Sequence, residues 1–365
     1  VNRHSSFRRY AAIRGRARRL VFGVAAIVAM VLGMAGFGAA AAAADTVIDT
    51  IGVGNGARGV AVTPDGSHAY VTNTGDGTVD VIDTVGNTVA TTVTVGNSPS
   101  GVAVTPDGAH AYITNTGDGT VDVIETATNT VVGAPIPVGN SPNAVAVTPD
   151  GAFAYITNFL GGTVSVIETV GNTVATTVNV GNNPTGVAVT PDGSHAYVTN
   201  NVDGTVDVIE TATNTVVGAP IPVGIFPQGV AITPDGAFAY VANNGGPGTV
   251  DVIETAGNTV IDTVTVGNGP TGVAVTPDGS RVYVTDNGGG TVSVIETAGN
   301  TVIDTVTVGT NPEGVAVTPD GSHVYVTNFV DGTVSVIAIE KCLGSLCIDF
   351  GSLTGSGSGA GSAFS

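Results

Sequence analysis

The stretch Gly59-Val-Ala-Val-Thr-Pro-Asp-Gly-Ser-His-Ala-Tyr-Val-Thr-Asn73 decides the fold. Residues 59–63 alternate small and apolar side chains, Pro64-Asp65-Gly66 makes a turn, and residues 68–73 are rich in strand formers. Thr74-Gly-Asp-Gly77 turns the chain again into residues 78–82, and Thr84-Val-Gly-Asn87 separates these from a fourth strand over residues 88–95. Proline presets φ and glycine supplies positive φ at such turns, and no helical period appears anywhere. Thr-Pro-Asp-Gly recurs from Thr63, Thr105, Thr148, Thr190, Thr233, Thr276 and Thr318, at steps of 42 or 43 residues. Four short antiparallel strands at this period are the pattern of a propeller blade. The expectation is an all-β, seven-bladed propeller.

The chain ends predict how the ring closes. The last copy has three strands and leaves the pattern at Glu340-Lys-Cys342. Its fourth strand stands at the other end: Asp45-Thr-Val-Ile-Asp-Thr-Ile-Gly-Val-Gly54 matches Asn258-Thr-Val-Ile-Asp-Thr-Val-Thr-Val-Gly267. Pairing residues 46–53 with residues 333–339 would hide two sheet edges that otherwise invite aggregation.

Charge divides the chain. Seven of its ten basic residues are arginines within the first nineteen positions, and all 29 acids lie at Asp45 or later. After Asp45 the basic residues are Arg58, Arg281 and Lys341. So acidic a body repels phosphate backbones, which argues against nucleic acid. The arginines precede an apolar run over residues 20–37 and an alanine tract over residues 39–44. This reads as a signal peptide over residues 1–44, cut near Ala44–Asp45, with no membrane span left in the mature chain. An uncleaved anchor is the alternative, and Arg8-Arg9 or Arg18-Arg19 leaves a twin-arginine route open. Both readings put the remainder outside. The expected organisation is a propeller over residues 45–340 and a Gly/Ser-rich tail over residues 341–365. That tail holds Cys342 and Cys347, which an oxidising compartment would pair as a small disulfide loop.

The quartet Tyr70-Val-Thr-Asn73 recurs as Tyr112-Ile-Thr-Asn115, Tyr155-Ile-Thr-Asn158, Tyr197-Val-Thr-Asn200, Tyr240-Val-Ala-Asn243, Tyr283-Val-Thr-Asp286 and Tyr325-Val-Thr-Asn328. The chain thereby resembles the YVTN family of β-propeller repeat proteins, which includes archaeal surface-layer proteins and exported bacterial propellers. The resemblance spans residues 45–339 and implies an extracytoplasmic location. It carries little chemistry, since propellers host unrelated activities.

Residues common to all copies build the copies. The aspartates of the Pro-Asp-Gly turns read as turn formers that bond their own backbone. Asp76-Gly-Thr-Val-Asp80 has the look of a calcium-loop tail, but Thr72 and Thr74 stand where earlier ligands would be needed. The histidines His68, His110, His195 and His323 share one repeat position with Phe153, Phe238 and Arg281, so no metal site is expected, and no cofactor. Function is therefore sought where copies differ. The loop leading into each first strand and the loop between strands two and three share one face, and this face varies. The residue before the small residue of each first strand is Arg58, Ser100, Asn143, Thr185, Gln228, Thr271 or Glu313. These are expected to rim the central channel, with Arg58, Asn143, Gln228 and Glu313 as binding candidates. Phe159, Leu160, Phe226 and Phe329 stand further out. The expected role is a monomeric binding or structural module that contacts a cell-envelope protein or glycan. The alternative is a channel-mouth enzyme, lactonase-like or cofactor-bearing.

Overall fold

A computed structural model describes residues 44–343 and 346–348. Residues 1–43 of the expected signal peptide, the tail beyond residue 348 and the expected Cys342–Cys347 pairing lie outside the described residues and side chains. Blade one comprises Ala57–Val62, His68–Asn73, Thr78–Asp83 and Thr88–Thr94, paired in that order as an antiparallel sheet. Seven such sheets form the propeller. In blade two the outer strand is split into Thr130–Val131 and Ile136–Pro137, whereas the same sequence in blade four forms the continuous strand Thr215–Pro222. Lys341–Leu343 and Leu346–Ile348 form a separate two-stranded sheet.

Closure follows the expectation. The N-terminal strand Thr46–Gly52 pairs antiparallel with Thr333–Ala338, from Thr46 opposite Ala338 to Gly52 opposite Thr333. It supplies the outer strand of blade seven. Strands two and three of each blade are buried on both faces, which is why they read as near-continuous Val, Ile and Tyr. Outer strands are half exposed and bulged, a device that blunts an edge.

The recurrent quartet ties neighbouring blades. The Tyr70 hydroxyl donates to Asn129 Oδ1, in the outer turn of blade two, at 2.6 Å. The same bond recurs around the ring and closes it from Tyr325 to Asn87 at 2.7 Å. Burial pushes the Tyr70 phenol up to about 12, so it stays a donor. Asn87 and its counterparts adopt positive φ, which asparagine tolerates.

The seam between blades six and seven has no such turn, and Asp45 takes the asparagine's place. Tyr283 donates to Asp45 Oδ2 at 2.6 Å, and the Arg281 guanidinium pairs with the same carboxylate at 2.9 Å. Arg281 thus departs from the His/Phe pattern of its repeat position because only there does the neighbouring blade offer a carboxylate.

Candidate functional site

Each first strand carries a bulge. In blade one Ala57 pairs with Asn73 and Val60 with Val71, so Arg58 and Gly59 oppose Thr72 alone. A bulge bends its strand and re-aims a side chain. The bulges of all seven blades bring Arg58, Ser100, Asn143, Thr185, Gln228, Thr271 and Glu313 to the lining of one cavity of about 190 Å3.

Thr72 fixes that bulge. Its Oγ1 accepts the Gly59 amide at 2.8 Å and donates to the Ser100 carbonyl of blade two at 2.7 Å. A Cβ on Gly59 would press on that carbonyl, so six blades keep glycine there and blade three admits no more than the methyl of Ala144. Thr114, Thr157, Thr199, Thr285 and Thr327 repeat the bridge to the next rim carbonyl. Blade five has Ala242 there and lacks it.

The rim is asymmetric in charge. Glu313 Oε1 accepts Asn287 Nδ2 at 3.0 Å. Burial pushes the Glu313 carboxyl above its ordinary range, although the nearby Arg58 charge and the Asn287 bond act the other way. Arg58 and Glu313 do not come within ion-pair distance. Among the described residues, the Arg58 and Gln228 side chains make no hydrogen bond to protein, whereas Asn143 Nδ2 is held by the Thr185 carbonyl at 3.1 Å.

Further out, the expected aromatic and aliphatic residues separate. Phe159 is half buried. So is Phe329, whose ring edge lies over Gly56 of blade one. Leu160 and Phe226 are exposed, together with Val202 and Ile225. These four lie on the same face of the consecutive blades three, four and five. Phe226 has a φ of 56°, in the left-handed region. Its counterparts are Gly56, Ser98, Ser141, Asn183, Gly269 and Asn311, all small or polar. A bulky residue there is a conformational outlier.

The invariant residues hold these loops in place. Asp80 Oδ2 accepts the Gly54 amide and Asn73 Nδ2, both at 2.9 Å, and so anchors the loop leading into blade one. Blades with serine in place of this aspartate solve the problem differently: Asn158 donates to Ser165 and accepts the Gly139 amide, each at 3.0 Å. Blade six exchanges the roles, with Asp286 accepting from Ser293 Oγ at 2.7 Å. Asp286 Oδ1 then has no partner, and burial pushes this carboxyl up. Asp76 takes the Asn55 amide and side chain at 2.7 and 3.0 Å, a loop clamp rather than a cation ligand. In blade five Ile225 stands at the clamp asparagine's position.

The opposite face carries clefts of about 650 and 250 Å3 between turns, one beside Asp65, His68 and Asp107 and one beside Asp192, His195 and Asp235. Their residues recur from blade to blade. The Thr63 hydroxyl, then the Ser67 amide and hydroxyl, hold Asp65 down at about 2. Ser67 Oγ donates to Asp65 and also touches His68 Nδ1 at 2.8 Å. In a nucleophilic triad the carboxylate sits on the imidazole, whereas here it sits on the serine. A carboxylate at about 2 is a poor base at neutral pH. Among the described residues no group of three His, Cys, Asp or Glu could hold a metal ion, and no helix is long and apolar enough to cross a membrane.

The family model described as "Lactonase, 7-bladed beta-propeller" matches residues 248–362, which is less than half of the chain. The structure titled "Kuenenia stuttgartiensis Hydrazine Synthase" is similar, with a TM-score of 0.73 at 24% identity, over 78% of this chain and 96% of that one. No curated protein matches. Solved-structure matches number 1781 chains, so a likeness of this kind conveys fold rather than chemistry. Repeat period, sheet topology and both likenesses converge on a seven-bladed β-propeller protein.

Proposed function

We propose that the chain is an exported interaction module of the YVTN, surface-layer-like kind, whose variable face captures a cell-envelope partner through blades three to five. The observation that carries this reading is blade five. It alone gives up the threonine bridge, at Ala242, and like blades three and six it lacks the loop clamp, with Ile225 at the asparagine's position. It also holds Phe226 in a left-handed backbone, half exposed at 49%. Departures from an otherwise consistent repeat, with local strain retained, are the physical mark of a selected surface. Leu160, Val202 and Ile225 are aliphatic and offer no flat stacking platform. With Phe226 as the one exposed aromatic ring beside them, they favour a protein over a glycan as the partner.

The test is capture of envelope proteins by the purified propeller. Ile225→Asn and Phe226→Ala should weaken capture at least tenfold while the fold survives, as anchor residues do. Full capture by the double variant would refute the reading. The lactonase family match favours a second reading, in which the unbonded Arg58 and the buried Glu313 act on a substrate at the channel mouth. Arg58→Ala and Glu313→Gln would then abolish turnover of a lactone. An unsubstituted protein that turns over no lactone would exclude that reading.

A further inference from the structure

The seam is held by Asp45, which is 5% exposed, while Ala44 before it is exposed. Asp45 Oδ1 accepts Arg281 Nη1 and the Glu340 amide, each at 2.9 Å, and Oδ2 accepts the Tyr283 hydroxyl. Its backbone nitrogen donates to Asp304 Oδ2, on the outer strand of blade six, at 2.9 Å. In other blades the equivalent residue is an asparagine inside a hairpin turn; Asn214, for example, sends its amide to the Glu210 carbonyl. At the seam that carbonyl is replaced by a carboxylate. Arg281 is thus the cation of Asp45, beside the Tyr283 phenol and the buried Glu340, and among the described residues Asp304 has no ion-pair partner.

We infer that the Ala44–Asp45 bond is a processing site, and that the α-ammonium released at Asp45 forms an ion pair with Asp304 that locks the ring. An envelope endopeptidase adds water across the bond. The water oxygen goes to the Ala44 carboxylate, and the protons leave Asp45 with an ammonium group. A peptide amide offers Asp304 one neutral N–H, whereas an ammonium offers three donors and the charge that balances the second carboxylate. The small residues over 39–44 suit such a cut. Because Asp45 is buried in the closed ring, the cut precedes docking of the strand Thr46–Gly52.

Two measurements test this. The full chain is expressed in an exporting host, and the first residue of the exported protein is read by intact mass and N-terminal sequencing. Asp45 is expected, and any other first residue overturns the inference. Protein beginning at Asp45 is then compared with protein retaining Ala43-Ala44, each with and without Asp304→Asn, by urea unfolding. The free-amine form should be the more stable. Asp304→Asn should shift its equilibrium toward the unfolded state by about tenfold, and that of the extended form by much less. Equal effects in the two forms would overturn the ion pair. Should Asp304→Asn not fold, the comparison of the two unsubstituted forms decides: equal or greater stability of the extended form refutes the lock.

Discussion

Phe226 adopts a backbone conformation that blades four and seven give to Asn183 and Asn311. Phe226→Asn should therefore stabilise the propeller by about 1 kcal/mol, by relieving left-handed strain, while weakening partner capture. A variant that loses stability in thermal unfolding would show that the ring packs rather than presents. Asp286 makes a second case. Its carboxyl is buried, one oxygen lacks a partner, and its pKa is raised. For a group raised in the folded state, its contribution to stability is full at low pH and lost as pH rises through the folded value. Asp286→Asn recreates the Asn–Ser pair of blades three and seven, whose asparagine accepts the loop glycine amide. It should gain about 1–2 kcal/mol at neutral pH, and the gain should vanish in acid, where the native carboxyl is already neutral. A pH-independent difference in urea unfolding would contradict this. The rim residues were legible in the sequence because each holds one repeat position. The coupling of Asn73 to Asp80 and of Asp286 to Ser293 was not, since it joins two strands and appears only in their paired register. The strain at Phe226 was hidden for the same kind of reason, because a sequence shows the substitution but not the φ it must adopt.

Among the elements, the third residue of the recurrent quartet links each blade to the next. Ala242→Thr should restore the missing bridge toward the Thr271 carbonyl and raise stability by about 1 kcal/mol, because six threonines already occupy equivalent surroundings. A fall in Tm would mean that blade five has closed around the smaller side chain. Strand count and order were readable from the alternation and the turn residues. The split outer strand of blade two was not, because blade four carries the same Thr-Val-Val-Gly-Ala-Pro-Ile-Pro sequence as one continuous strand. The Gly-Ala-Pro sequence that both blades share bears on the aspartate of their third strands. Thr92 and Thr263 donate to the equivalent carboxylates of blades one and five, whereas Asp122 Oδ1 and Asp207 Oδ1 are left without a partner.

For the molecule as a whole, closure depends on the chain's first strand. Deleting residues 45–54 removes the partner of Thr333–Ala338, the Asp45 lock and the loop leading into blade one. The shortened chain should aggregate or melt far below the intact protein; a cooperative transition at the same temperature would rule this closure out. The match between residues 45–54 and residues 258–267 made closure legible. The exchange of Asn258 for Asp45 was the visible trace of a seam whose partners, Arg281 and Asp304, lie far away in sequence. The register of that seam also has a mechanical consequence. Thr46 lies opposite Ala338, so the two chain ends leave from the same end of an antiparallel pair. Tension applied between them loads the ladder one bond at a time, as a zipper, instead of shearing all bonds together. A propeller tethered by both ends should therefore open at low force from this seam, peeling off the strand Thr46–Gly52 first, while the other six blades still hold.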